Sequence, residues 1–149
     1  VCRRTETDTL GINRVVSRGE PIMEAHKQTE CACAQAPKLI FPCSGASDVG
    51  EITDRCARRL TKEGAGKMYC LAGIGGRVED ILVNARAADV ILAIDGCKAD
   101  CARKTLELAG FSNVRHLRLL DIGFEKGKSP ATGGRIEFAA NKAKTLLTE

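Results

Sequence analysis

From Lys38 onward, short apolar runs alternate with stretches of helical period, and only brief connections separate them. That alternation constrains the fold more than any other feature. Strand–helix–strand units joined by short connections close as right-handed parallel crossovers. Lys38–Cys43 is the first apolar run, and Pro42 is acceptable there because it stands at the strand end. Ser44–Asp48 is a turn offering Ser47 or Asp48 as a helix N-cap, and Ile52, Cys56 and Leu60 follow at helical spacing up to Gly64. Lys67–Ala72 is expected as a second strand, followed by a glycine-rich loop over residues 73–76 and a helix over Val78–Ala88. Val90–Ile94 is an unbroken apolar run of the kind buried on both faces of a sheet. A helix from Cys101 to Ala109, a strand over Val114–Leu120, a loop over Asp121–Ser129 and a helix from Thr132 to Leu147 complete the series.

These elements predict an α/β fold: a small open parallel sheet of four strands in the order 2-1-3-4, with helices on both faces. Such an arrangement is Rossmann-like or flavodoxin-like. A chain of 149 residues with 44% apolar content fits one domain with a proper core. Residues 1–36 differ from the rest, being polar at first and without sustained period, then running through Cys31 and Cys33 to the segment before Pro37. They read as a flexible N-terminal arm, with Met23 as a plausible native start, and residues 37–149 as a single α/β metal-binding domain.

Composition narrows the partners. Aromatic residues make up 3% of the chain, with no Trp, which argues against a base-stacking surface. The net charge of +4 is mild and basic residues are interleaved with acidic ones, so no nucleic-acid footprint stands out. No apolar run approaches the roughly 20 residues of a membrane span, and no segment has the layout of a signal peptide. The eight cysteines therefore read as those of a cytoplasmic chain in a reducing compartment, where metal binding or catalysis is the commoner use.

Four of those cysteines, Cys43, Cys70, Cys97 and Cys101, each sit where a strand-like run gives way to a glycine-rich loop or a helix start. In the expected order, strands one and three are neighbours at the switch point where open α/β sheets bind ligands. Strands about 4.8 Å apart can bring thiols to the roughly 3.8 Å that separates sulfurs around a tetrahedral zinc. Cys101 falls in a first helical turn, with Asp100 as a cap, where free N–H groups favour a thiolate. Zinc is the expected cofactor, ahead of an iron–sulfur cluster, since no ferredoxin-like spacing is present. Cys56 shares a core face with Ile52 and Leu60 and reads as a small buried hydrophobe. Cys31 and Cys33 read as bystanders or transient donors, Cys2 carries no signal, and His26 and His116 read as surface or packing histidines.

The runs Phe41–Gly50, Cys70–Arg77 and Ile94–Arg103 together resemble the DGC-domain family, regarded as zinc-binding proteins and named for the triplet present here as Asp95-Gly96-Cys97. The resemblance covers about Lys38 to Pro130 and implies Cys43, Cys70, Cys97 and Cys101 as zinc ligands. It supplies no reaction.

Rival chemistries are weaker. A Cys-x5-Arg phosphate loop fails because six residues separate Cys70 from Arg77 and Val49 stands where Cys43 would need its arginine. The glycines at 73, 75 and 76, and the Gly127-Lys-Ser129 run, lack full nucleotide-loop spacing, although a small anion remains an expected partner of the glycine-rich loops. Cys97 and Cys101 are spaced more loosely than a thioredoxin-like pair. Asp95 reads as a group that either orients a ligand from behind or, as is more usual, caps loop amides, Arg77 as a neighbour of the site, and Lys126 and Lys128 as solvated loop residues, with attraction of an anion as their alternative. The expectation is a zinc-binding protein used for trafficking or sensing, with the metal ion as its partner and neither nucleic acid nor membrane. The alternative is a thiol- or metal-dependent enzyme acting on a small anionic or redox substrate.

Overall fold

The computed structural model describes residues 36–148. The expectations for the N-terminal arm, with Cys2, Met23, His26, Cys31 and Cys33, lie outside the described residues. Within them the chain runs β1 (Lys38–Pro42), α1 (Asp48–Lys62), β2 (Lys67–Met68), α2 (Leu71–Gly75), α3 (Glu79–Arg86), β3 (Val90–Asp95), α4 (Cys101–Leu108), β4 (Val114–Arg118), a 3-10 turn (Leu119–Ile122) and α5 (Gly133–Thr148). All strand pairs are parallel, in the order β2-β1-β3-β4. The expected α/β architecture and strand order are both present.

The pleat of the two central strands divides the core. Ile40 on β1 and Leu92 and Ile94 on β3 face α1 and α5, where Ile52, Cys56, Leu60, Ile136 and Ala140 are buried. Leu39, Phe41, Ile91 and Ala93 face the other way, against Ile74 of α2, Leu82 of α3, and Ala102 and Leu106 of α4. Alternate residues of one strand point to opposite faces, so both layers are anchored by the same two short segments. Buried residues of α5 fall at 136, 139, 140, 143 and 147, one stripe at helical spacing. Three of them are alanines, which let the helix lie close to the sheet.

Helix α1 begins as its sequence indicates. Ser47 is the N-cap, its Oγ accepting the Gly50 N–H at 3.1 Å, with Asp48 and Glu51 in the first turn and Arg59 and Lys62 in the last. The chain then leaves through Gly64 at φ +72°, a conformation glycine takes without penalty.

Three elements differ from expectation. The second strand is two residues long rather than six, and residues 71–75, expected as the strand's end and the start of a glycine-rich loop, coil into the short helix α2. β2 is an edge strand, so only β1 holds it, and the Tyr69 N–H to Ile40 carbonyl bond ends the pairing. Beyond that point Cys70 Sγ accepts the Gly73 N–H at 3.3 Å and caps a helical turn, while Ile74 is drawn into the core. The fourth strand stops at Arg118, and the 3-10 turn carries the chain to Gly123 at φ +91°. Among the described residues no helix is long and apolar enough to cross a membrane.

Candidate metal centre

The carboxyl edge of the sheet collects the four cysteines singled out by sequence, through four different local devices. Cys43 directly follows β1, and its N–H bonds to the Ile94 carbonyl of β3 at 2.8 Å. That link extends the β1–β3 ladder by one residue and holds the thiol beside the Asp95–Cys97 segment. Cys43 Sγ accepts the Gly96 N–H at 3.2 Å and lies 3.9 Å from Thr53 Oγ1. The Thr53 hydroxyl also reaches the Cys43 carbonyl at 2.8 Å, tying the residue to α1.

Gly96 is the residue that allows this approach. A Cβ there would stand 2.7 Å from Val49 Cγ2 and 3.0 Å from the Val49 carbonyl carbon. Only glycine lets the end of β3 pass so close to the first turn of α1 and present its N–H to sulfur.

Cys70 is exposed and caps α2, as described above, while Cys101 is exposed at the first position of α4 and Cys97 is half-buried. Helices α2 and α4 are neighbours, with Gly75 facing the Thr105 methyl. A cleft of about 490 Å³ opens at this edge between Pro42, Ser44, Cys70, Leu71 and Thr105. Burial pushes the Cys43 thiol up to about 11; the nearby Asp95 carboxylate adds to this and the Gly96 N–H opposes it. Cys43 is therefore a neutral thiol near neutral pH until a cation displaces its proton.

The donors have the chemistry zinc requires: four soft sulfur atoms, two of them already receiving a backbone N–H. Their spacing is another matter. Among the described residues the compact group of ligand-type atoms, all within 4.8 Å of one another, is Asp95, Asp100 and His116. The four sulfurs line the same edge without closing into such a group.

That neighbouring cluster was not legible as a unit in the sequence. Asp95 is fully buried at the end of β3, and its carboxylate accepts N–H bonds from Ala102 at 2.8 Å and Arg103 at 3.1 Å. It thus caps α4 from the sheet, the amide-capping role expected for it. His116 Nε2 lies 3.1 Å from Asp95 Oδ2. Burial pulls the Asp95 carboxyl upward, but His116 and the two amides outweigh it and hold the group below the usual carboxylate range. Arg118 grips Asp100 through two contacts, Nε at 2.7 Å and NH2 at 2.5 Å, and holds its carboxyl low. The available signal was register. Ala93 pairs with His116 and Asp95 with Arg118, so all four share one face once β3 and β4 are known to be neighbours.

The other residues singled out by sequence have their own partners. Arg77, at φ +57°, donates to the Leu108 carbonyl at 2.6 Å. Lys128 pairs with Glu125 in the loop that carries it. The Gly127 and Ser129 amides are already taken by the Asp48 carboxylate at 2.9 and 2.8 Å, which fills the cradle a phosphate would need. Cys56 is fully buried in the α1 core face, as its spacing indicated.

The family model described as the DGC domain matches residues 39–143. The chain is also similar to the anaerobic and virulence modulator AnvM of Pseudomonas aeruginosa, with 35% identity over 88 residues, which cover 59% of this chain and 67% of that protein. No solved structure matches significantly.

Proposed function

The chain belongs to the DGC-domain family, and on that premise we propose that it binds zinc through Cys43, Cys70, Cys97 and Cys101 and uses the site for metal sensing or transfer. The observation that carries the reading is the Gly96 N–H to Cys43 Sγ bond, a contact between two chain segments 53 residues apart that sets a thiol beside the Cys97–Cys101 turn. A backbone N–H aimed at sulfur stabilises the thiolate that zinc binds.

Exchange rather than mere stapling follows from two features. Both faces of the sheet are filled chiefly by Leu, Ile, Val and Ala rather than by the candidate ligands, so the fold has its own core. Cys70 and Cys101 are exposed, so a metal there is open to an incoming competing thiol. Bound metal would join the start of α4 to the capping residue of α2, and its loss would free both. The name of the Pseudomonas relative, a modulator, supports regulatory use of such a change. The same reading takes residues 37–149 as one metal-binding domain in the reducing cytoplasm, where these thiols stay available.

Elemental analysis of protein purified without oxygen tests the proposal. About one zinc per chain is expected, falling sharply when Cys43, Cys97 or Cys101 becomes Ser, while chelated protein still unfolds cooperatively. No metal after zinc is offered refutes the reading. Iron with visible absorption replaces zinc by a cluster, and a single fast-alkylating thiol in metal-free protein favours a thiol enzyme acting at the cleft beside Cys70.

A further inference from the structure

The Asp95, Asp100 and His116 cluster has the composition of a cation site, but its hydrogen bonds point to another role. We propose that Asp95 and Asp100 are positioning residues for the ligand pair Cys97 and Cys101, locked in place from β4 by His116 and Arg118. This inference rests on the zinc reading above.

Every carboxylate oxygen of the cluster already has a donor. Asp95 Oδ1 accepts from Ala102, and Asp95 Oδ2 accepts from Arg103 and faces His116. Asp100 Oδ1 and Oδ2 accept from Nε and NH2 of Arg118. A cation entering here would have to displace these donors and sit beside a guanidinium, which is always charged. The cluster is complete without a metal.

What it holds is the turn that carries two thiols. Asp100 occupies the N-cap position of α4 at φ +53° and ψ +44°, a left-handed conformation unusual for a residue with a side chain. Its carboxylate does not cap the helix. Asp95 supplies that cap from the strand instead, leaving the Asp100 side chain free to be gripped by Arg118. The Asp100 N–H bonds back to the Cys97 carbonyl at 3.2 Å and closes the turn. Cys97 lies two residues beyond Asp95, and Cys101 one beyond Asp100, so both thiols are set by carboxylates anchored to adjacent strands. Partners behind metal ligands commonly change affinity by about 10–100-fold when removed.

The test compares zinc affinity, by competition with a chromogenic chelator, and the cobalt(II)–thiolate absorption spectrum across a set of folded variants. Hydrogen exchange of the Ala102 and Arg103 amides is followed in the same proteins without metal. Arg118→Met is expected to weaken zinc about tenfold or more, alter the cobalt bands and speed exchange, with Arg118→Lys intermediate. Asp100→Ala behaves like Arg118→Met. Asp100→Gly, which adopts the left-handed conformation freely, regains most of the affinity although it lacks the ion pair. A loss of fold stability alone would leave the cobalt bands of the folded, loaded variants unchanged. Unchanged affinity and exchange in Arg118→Met and Asp100→Ala, with zinc bound normally, overturns the inference and spares the zinc reading. A second metal ion lost in His116→Gln but retained in the Cys→Ser variants also overturns it, since the cluster is then itself a metal site. Wild-type protein that takes up no zinc removes both.

Discussion

Replacing Gly96 by Ala probes the junction on which the candidate site depends. The added methyl would stand 2.7 Å from Val49 Cγ2, 2.9 Å from Val49 Cβ and 3.0 Å from the Val49 carbonyl carbon. Favourable carbon–carbon separations are about 3.5–4.0 Å, so the end of β3 and the first turn of α1 must part by about 0.5–1 Å. Overpacking of this kind costs about 1–3 kcal/mol. In a domain of this size that lowers the melting temperature by roughly 5–15 °C. The same displacement lengthens the 3.2 Å bond from the Gly96 N–H to Cys43 Sγ, so zinc affinity should fall alongside stability. Thermal and urea unfolding of metal-free protein, followed by zinc competition, measures both. Val49→Ala supplies the control. Val49 is 1% exposed, and truncating it alone costs about 1.5–2.5 kcal/mol of lost burial. It also removes the atom nearest the new methyl but leaves Val49 Cβ and the carbonyl carbon in place, so the double variant should recover part of the overpacking cost, up to about 1 kcal/mol. An unchanged melting point in Gly96→Ala would refute the steric argument.

Two further expectations concern the surroundings of the site. Burial pushes the Cys56 thiol up to about 12, so in native metal-free protein Cys70 and Cys101 should be alkylated well before Cys56, which reacts only on unfolding; mass mapping of the modified peptides checks the order. The Gly127 and Ser129 amides hold the Asp48 carboxyl below its ordinary value, so its contribution is present above the ordinary carboxylate range and lost as pH falls through the lowered folded value. Asp48→Asn should remove that acid dependence and speed hydrogen exchange at residues 127 and 129, and an unaltered exchange pattern would contradict the role assigned to it.

The alternation of apolar runs and helical stripes was enough, without tertiary information, to indicate a parallel α/β sheet, its strand order, and the buried place of Cys56. Ser47 as a cap and Asp95 as a group that holds amides were also legible, because their partners lie three residues on for Ser47 and seven and eight on for Asp95. The short length of β2 was not. Whether residues 69–75 extend or coil depends on having one neighbouring strand instead of two, and on the core space that receives Ile74.

What the sequence by itself determined is the framework and the edge at which the cysteines gather, since periodicity is a local property that survives without contacts. Only the tertiary structure decided what surrounds them. His116 meets Asp95 across 21 residues, Arg118 meets Asp100 across 18, and Asp48 reaches Ser129 across 81 to occupy the amides of the loop before α5. Such pairs leave no spacing in the chain to read. They exist because β3 and β4 lie in register and because α1 and the loop before α5 share one end of the sheet, and neither condition is written in any short segment.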